Sequence, residues 1–387
     1  MKNLIPYNKQ NVINKDIQIV SKSLKEDLIT TGKNVEKFEL KIKNQIKSKY
    51  VVVCSSGTSA IHLSLMSMNL KKNDVILMPA VNFISVYNIS KILELKIYLV
   101  DVDPISGQMT PDTLLDCIKK NKIKNIKILI TMFLGGYPEN IPEFYKIKKK
   151  YNFKIIEDAC HAFGSKYFYK KKYFNVGSCK HADISTFSFH PVKSIATGEG
   201  GAISTNNKKI YKILRLLRNH GIIRHKKYHW KYNIKTPGFN YRISDINCAL
   251  GISQIKRLDK FISKRRKIYN LYFKKLKNYV VFYNYNLKNK PCYHLCLISI
   301  NFKKIKSSKD NFMKFMKQNK ILTQYHYIPI YKFDIYKKNK HFFNNTEYYY
   351  KNSVSLPIYY DMDLKTINIV INKIILFLRK NKNNITR

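Results

Sequence analysis

Val51-Val-Val-Cys54, the turn Ser55-Ser-Gly-Thr58 and the apolar stretch from Ala60 to Met68 decide the fold. The first reads as a short buried strand, and the small-residue turn passes the chain into an apolar helix. The same alternation continues outward on both sides. Val35, Phe38, Ile42 and Ile46 recur at helical spacing before it. Val75-Ile-Leu-Met78 reads as a strand and residues 84–95 as a helix. Strands are expected at 97–102, 127–133 and 154–157, with helices at 111–120 and 142–150 between them. Strands without polar alternation, separated by helices, predict the α/β class with a parallel sheet covered on both faces. Such sheets take ligands at the carboxyl ends of their strands.

Ser244 is a plausible N-cap for a long amphipathic helix carrying Ile246, Leu250, Ile255, Leu258, Phe261, Ile262 and Ile268 on one stripe. That helix is expected to lead from a large domain, residues 1–250, into a smaller one, residues 251–387. In the smaller one Leu295–Asn301 reads as a strand and Asp310–Gln318 as a helix. The terminal Lys380–Arg387 is expected to fray.

The 387 residues carry a formal charge of +48, which raises the possibility of nucleic-acid binding. The lysines are instead spread along the chain in short runs such as Lys148-Lys149-Lys150 and Lys170-Lys171-Lys172. Lys, Asn, Ile, Tyr and Phe are enriched together, as A/T-rich codons would supply. A solvated basic surface without a specific nucleic-acid partner is the favoured reading, and its field would draw in anionic substrates. No stretch of ~20 apolar residues marks a membrane span. Nor does the N-terminus have the apolar core of a secretion signal, so a soluble cytoplasmic protein is expected. The seven cysteines are scattered and odd in number, which favours free buried thiols. Cys292 and Cys296 lack a second pair at zinc-like spacing, and no metal is expected.

Three short segments could carry chemistry. Ser188-Phe-His-Pro-Val-Lys193 ahead of Thr197-Gly-Glu-Gly-Gly201 places a lysine after a β-rich run, and burial would free its amine to form a Schiff base. Alone, Lys193 is one lysine among dozens. Glu157-Asp158-Ala-Cys-His161 follows a strand, so Asp158 either faces the ligand crevice or caps a helix. A carboxylate there would suit the pyridine nitrogen of pyridoxal phosphate. Ser56-Gly57-Thr58-Ser59, opening a helix, would suit a phosphate, although such turns are common. An aldehyde-binding lysine, a carboxylate and a phosphate turn, each at a strand end, together make a pyridoxal-phosphate site.

These segments, with Thr30-Thr31-Gly32 and Gly238-Phe-Asn-Tyr-Arg-Ile-Ser-Asp245, resemble the DegT/DnrJ/EryC1/StrS sugar aminotransferases from Ile5 to about residue 360. The resemblance implies the fold type I, aspartate-aminotransferase-like architecture: a large, mostly parallel-sheet domain and a smaller C-terminal α+β domain. It implies that Lys193 carries the cofactor and moves the proton, and that Asp158 pairs with the pyridine nitrogen. Gly57, Thr58 and Ser188 would bind the phosphate, Phe83 would stack on the ring, and His161 would lie beside its 3-hydroxyl. Asn240 would reach the phosphate site of a neighbouring copy, giving a homodimer with shared active sites.

Ile5-Pro-Tyr7, Leu28–Gly32, Glu157–His161 and Thr323-Gln-Tyr-His-Tyr-Ile-Pro329 are most similar to members that aminate C4 of a UDP-linked 4-keto-6-deoxy-N-acetyl sugar. Glutamate would be the donor and 2-oxoglutarate the first product. Thr31 and His326 would touch substrate, or His326 is a surface histidine. Tyr331 and Phe333-Asp334 depart from the expected pattern near the sugar side. A dTDP-, GDP- or 4-amino-arabinose-type substrate therefore stays open. A relative that removes the C3 hydroxyl carries histidine at the lysine position, so Lys193 argues against it. A basic nucleic-acid binder would leave the ordered motifs unexplained.

Overall fold

The apolar runs marked as strands assemble into one sheet in the computed structural model, which describes residues 4–283, 286–336 and 343–383. The first elements are α1 (Asn14–Ser23), α2 (Lys33–Ile46), β1 (Tyr50–Cys54), α3 (Gly57–Met66), β2 (Val75–Pro79) and α4 (Ser85–Ile92). Next come β3 (Lys96–Val100), α5 (Pro111–Lys120), β4 (Ile126–Met132), α6 (Ile141–Tyr151) and β5 (Lys154–Asp158). A hairpin, β6 (Lys166–Tyr169) and β7 (Lys172–Asn175), precedes β8 (Ile184–Ser188), β9 (Gly201–Thr205) and α7 (Lys208–Leu217). A second hairpin, β10 (Ile222–Arg224) and β11 (Tyr232–Ile234), leads to α8 (Asp245–Ile255) and α9 (Leu258–Leu276). The remainder is β12 (Val281–Phe282), β13 (Cys296–Ser299), α10 (Lys309–Gln318), α11 (Asn344–Asn352), β14 (Ser353–Leu356) and α12 (Leu364–Asn383).

The seven-stranded sheet has the order β1-β9-β8-β5-β4-β2-β3. All neighbouring pairs from β8 to β3 are parallel, whereas β9 runs antiparallel to both β1 and β8. The sheet is therefore mostly parallel rather than wholly so. A parallel neighbour needs a long crossover, usually through a helix. Residues 189–200 contain none, and the chain can only double back beside β8. That return loop carries Lys193.

The expected long helix from Ser244 is two helices, broken at Lys256 and Arg257. Ser244 does cap the first, its Oγ accepting the Asn247 N–H at 3.1 Å. At the break the Arg257 guanidinium pairs with the wholly buried Asp16 at 2.5 Å, and Gln254 donates to the same carboxylate. This long-range pairing outweighs the apolar stripe that would have continued the helix. The boundary expected at 250/251 falls within α8.

One apolar core packs α9, α10 and α12 against the β12-β13-β14 sheet around Tyr272, Phe312, Ile298 and Ile374. Tyr137, just after β4, inserts into it, and Ile5 pairs with Ile321 at its edge. Helix α12 continues to Asn383, past the start of the segment expected to fray; residues 384–387 lie outside the described part. All seven cysteines are free, and all but Cys160 are buried. Among the described residues no helix is long and apolar enough to cross a membrane.

Candidate active site

The carboxyl ends of β5 and β8 and the start of α3 open into one cavity of about 600 Å³. Asp158 is the last residue of β5 and is 3% exposed. Its Oδ1 accepts the Cys160 N–H at 3.2 Å, and burial pushes its carboxyl above the ordinary range. Lys193 stands in the β8–β9 loop, its own N–H bonded to His190 O at 2.8 Å. Burial lowers the pKa of its amine, offset in part by Cys160 and Asp158. Lys193 is half-buried, and lowering the pKa of an amine favours the free base that is the nucleophile toward an aldehyde.

The phosphate turn is built by close approach. Ser56 caps α3, its Oγ accepting the Ser59 N–H at 3.1 Å while Ser59 Oγ accepts the Ser56 N–H at 2.9 Å. The next two N–H groups, of Gly57 and Thr58, have no carbonyl four residues behind them, and the helix dipole adds to their pull on an anion. A side chain at Gly57 would put its Cβ 2.8 Å from Ser188 Cβ. One at Gly201 would come within 2.2 Å of Ser56 O. Both glycines are needed for β8, β9 and the helix start to converge.

Of the residues singled out in the sequence, Gly57, Thr58, Phe83, Asp158, His161, Ser188, Lys193 and His326 line this one cavity. Phe83 is half exposed, with its ring centroid 5.7 Å from that of Tyr327. His326 is buried, its Nδ1 is 2.8 Å from Ser355 Oγ, and burial lowers its pKa to about 3. Both ring nitrogens of His161 are engaged, Nδ1 by Gly135 N–H at 3.3 Å and Nε2 by Tyr327 Oη at 2.9 Å. Phe333 also lines the cavity, but the Tyr331 hydroxyl turns to Glu347 at 2.8 Å.

Thr31 and Asn240 are not brought to Lys193 within one chain. Thr31 lines a second cavity of about 1390 Å³, and Asn240 is exposed beside Asn219, which lines that same cavity.

Sequence reasoning missed Tyr7, Asn82, His294 and Tyr327, all of which line the first cavity. Tyr7 and Tyr327 belong to segments already quoted for the resemblance. Asn82 sits beside Phe83, and His294 lies between two cysteines weighed only for zinc. Asn82 is 1% exposed, and neither its Oδ1 nor its Nδ2 has a partner among the described residues. Buried polar groups are almost always paired, so this amide fits a cavity that holds a polar molecule.

The profile of the DegT/DnrJ/EryC1/StrS aminotransferase family matches residues 10–375. A UDP-4-amino-4,6-dideoxy-N-acetyl-β-L-altrosamine transaminase of Campylobacter jejuni (serotype O:23/36, strain 81-176) is 35% identical over 98% of this chain and 99% of its own. A GDP-perosamine synthase of Escherichia coli O157:H7 is 34% identical over 71% of this chain and 72% of its own. The structure of Helicobacter pylori PseC, an aminotransferase of pseudoaminic acid biosynthesis, superposes with a TM-score of 0.89 at 25% identity. It covers 97% of this chain and 100% of its own. The lysine amine of lowered pKa, the buried carboxylate, the open helix start and the orphaned amide fit pyridoxal phosphate, the cofactor of this enzyme class. On these matches and this geometry, the chain belongs to the DegT/DnrJ/EryC1/StrS aminotransferase family.

Proposed function

We propose that this aminotransferase moves the amino group of glutamate onto C4 of a UDP-linked 4-keto-6-deoxy-N-acetyl sugar, leaving 2-oxoglutarate. The reading is carried by 35% identity, over nearly the whole of both chains, to a transaminase named for that class of sugar. Pyridoxal phosphate supplies an aldehyde and an electron-withdrawing ring. Asp158 would hold the proton on the pyridine nitrogen, and that cation would in turn favour the ionised carboxylate that burial disfavours. Gly57, Thr58 and Ser188 would hold the phosphate, and Asn82 would supply donor and acceptor together. Nζ of Lys193 would take the proton from the donor's Cα in the first half-reaction and return one to the sugar carbon in the second. Phe83, half exposed at the cavity, would cover one face of the ring and exclude water.

The same reading includes a homodimer in which Asn240 of one copy completes the other's phosphate site. It is supported by Asn240 being exposed and not lining the cavity that holds Lys193. It includes a large cofactor-binding domain, residues 1–250, a smaller C-terminal domain, residues 251–387, and a cytoplasmic location. No nucleic acid is among the proposed partners.

A second reading, another nucleotide sugar, is favoured by the likeness to a GDP-perosamine synthase. Absorbance of the pyridoxal-phosphate-loaded protein decides between them. Loss of the yellow band with glutamate and its return with a UDP-4-keto-6-deoxy-N-acetyl sugar is expected. Bleaching that only a GDP- or dTDP-keto sugar reverses would transfer the assignment to the second reading, and no bleaching at all would overturn both.

A further inference from the structure

The Gly135 N–H, the buried His161 and the Tyr327 hydroxyl form a directed hydrogen-bond chain that ends at the Lys193 cavity. A backbone N–H can only donate, so the Gly135 N–H at 3.3 Å makes His161 Nδ1 an acceptor. Burial holds the His161 imidazole neutral, leaving it one ring proton, which must then sit on Nε2. That nitrogen is 2.9 Å from Tyr327 Oη, so the ring donates to the phenol oxygen. The phenol therefore spends a lone pair on His161 and keeps its own proton. Burial pushes its pKa well above the usual value, so the proton stays. No other hydrogen bond from this hydroxyl occurs among the described residues. Tyr327 lines the Lys193 cavity, with its ring against Phe83.

We propose that Tyr327 presents an oriented O–H donor to this cavity and binds an acceptor oxygen of the molecule held against Lys193, with His161 as the positioning residue behind it. The inference rests on the proposed function for what fills the cavity. The acceptor is an oxygen with available lone pairs, supplied either by the cofactor ring or by a substrate carboxylate or carbonyl. His161 does not serve that oxygen directly, because both of its nitrogens are engaged within the protein. The two positive-φ glycines after β4, Gly135 and Gly136, explain how a backbone N–H comes to face the imidazole at all.

Tyr327→Phe removes the hydroxyl and keeps the ring packed on Phe83, so the variant is expected to fold. The test uses pyridoxal-phosphate-loaded wild type, Tyr327→Phe and, as a control, Tyr331→Phe, whose hydroxyl pairs with Glu347 instead of lining the cavity. Without substrate, the pH titration of the visible band is followed. A displacement of about one pH unit in Tyr327→Phe alone identifies the cofactor oxygen as the acceptor. An unmoved titration with a roughly ten-fold loss of kcat/KM in only one half-reaction, glutamate or keto sugar, identifies a substrate oxygen. Tyr327→Phe with wild-type titration and both half-reactions within about two-fold of wild type overturns the proposal. Wild type that neither binds the cofactor nor bleaches refutes the proposed function, and Tyr327's role falls with it. An indifferent variant beside an active wild type refutes Tyr327 alone.

Discussion

Replacing Gly57 by alanine tests how the phosphate turn is built. Gly57 has no left-handed φ, so an alanine backbone is acceptable there; the obstacle is space. The new Cβ would lie 2.8 Å from Ser188 Cβ and 3.3 Å from Ser188 Oγ and Cys160 Sγ. Carbon atoms in contact normally sit about 3.5–4.0 Å apart, so the start of α3 must move off β8 by most of an ångström. Neither partner can swing away, because the Ser188 Cβ is fixed by an interior strand. Overpacking of this kind costs about 1–3 kcal/mol. A 387-residue chain has an unfolding entropy of roughly 0.8 kcal/mol/K, so its midpoint falls by only about 1–4 °C.

The larger effect is on the cofactor, since moving α3 separates its free N–H groups from the Ser188 hydroxyl. A similar free energy would raise the dissociation constant of pyridoxal phosphate by roughly 5- to 150-fold. Equilibrium binding to the apoprotein measures this directly. Ser188→Gly, which removes the Cβ that Gly57→Ala strikes, supplies the control: in that background the alanine should cost little. Wild-type affinity in Gly57→Ala, or an equal cost of the alanine in both backgrounds, would refute the reasoning.

Lys193→Ala should remain folded and lose steady-state transamination entirely; measurable turnover would remove the lysine from its role. Arg265 is 4% exposed and donates to the His294 and Ile358 carbonyls and to Asn8 Oδ1. Arg265→Met strands these acceptors at about 1–3 kcal/mol each, and a denaturant midpoint equal to wild type would show that they find other donors. Acid should destabilise the fold. Burial lowers the pKa of His161 and His294 well below normal and that of His326 to about 3, so unfolding binds their protons as pH falls below about 6.5. Glu157, raised to about 7, acts in the opposite sense between about 4.5 and 7, where the folded form holds the extra proton. Asp158 and Glu139, also raised by burial, act with Glu157, and His62 and His181 are lowered like the other histidines. Five histidines outnumber three carboxylates, and urea midpoints that rose from pH 7 to pH 5 would contradict this. Finally, if the basic surface steers an anionic substrate, added salt should lower kcat/KM and leave the rate at saturation unchanged; a kcat/KM insensitive to salt would remove that role.

Much of the fold could be read from the sequence because its strands are short, apolar and separated by periodic helices. Val35, Phe38, Ile42 and Ile46, spaced as a helix, are all buried in α2. The failures have two causes, one distant in sequence and one local. The break at Arg257 is made by Asp16, some 240 positions earlier, and no local pattern records it. The antiparallel β9 follows from what the 189–200 loop lacks. Around Lys193, the lysine, Asp158 and the small-residue turn could be singled out in the sequence because their chemistry is specific to their type, and they line one cavity. His294 and Tyr327 were not, because a buried histidine or tyrosine becomes informative only when its partners are known. Tyr327 acquires a direction from Gly135 by way of His161, a path that crosses three separate segments of chain.

The excess of cations shows how little composition alone says about the site. Among the described residues, Lys193 is the one lysine or arginine lining the first cavity, together with the carboxylates Asp158 and Glu199. The second cavity is lined by eight, against Glu36 and Glu39. A lysine in water keeps its hydration and is screened within about 10 Å, so substitutions toward lysine accumulate on the surface at little cost. Inside a cavity of low dielectric, each added charge acts strongly on every other and would move the pKa of Lys193 itself. Drift toward lysine is therefore tolerated outside and excluded inside. A cavity holding one lysine and two carboxylates among its described lining is where the chemistry concentrates, and that is why six ordered motifs outweigh a net charge of +48.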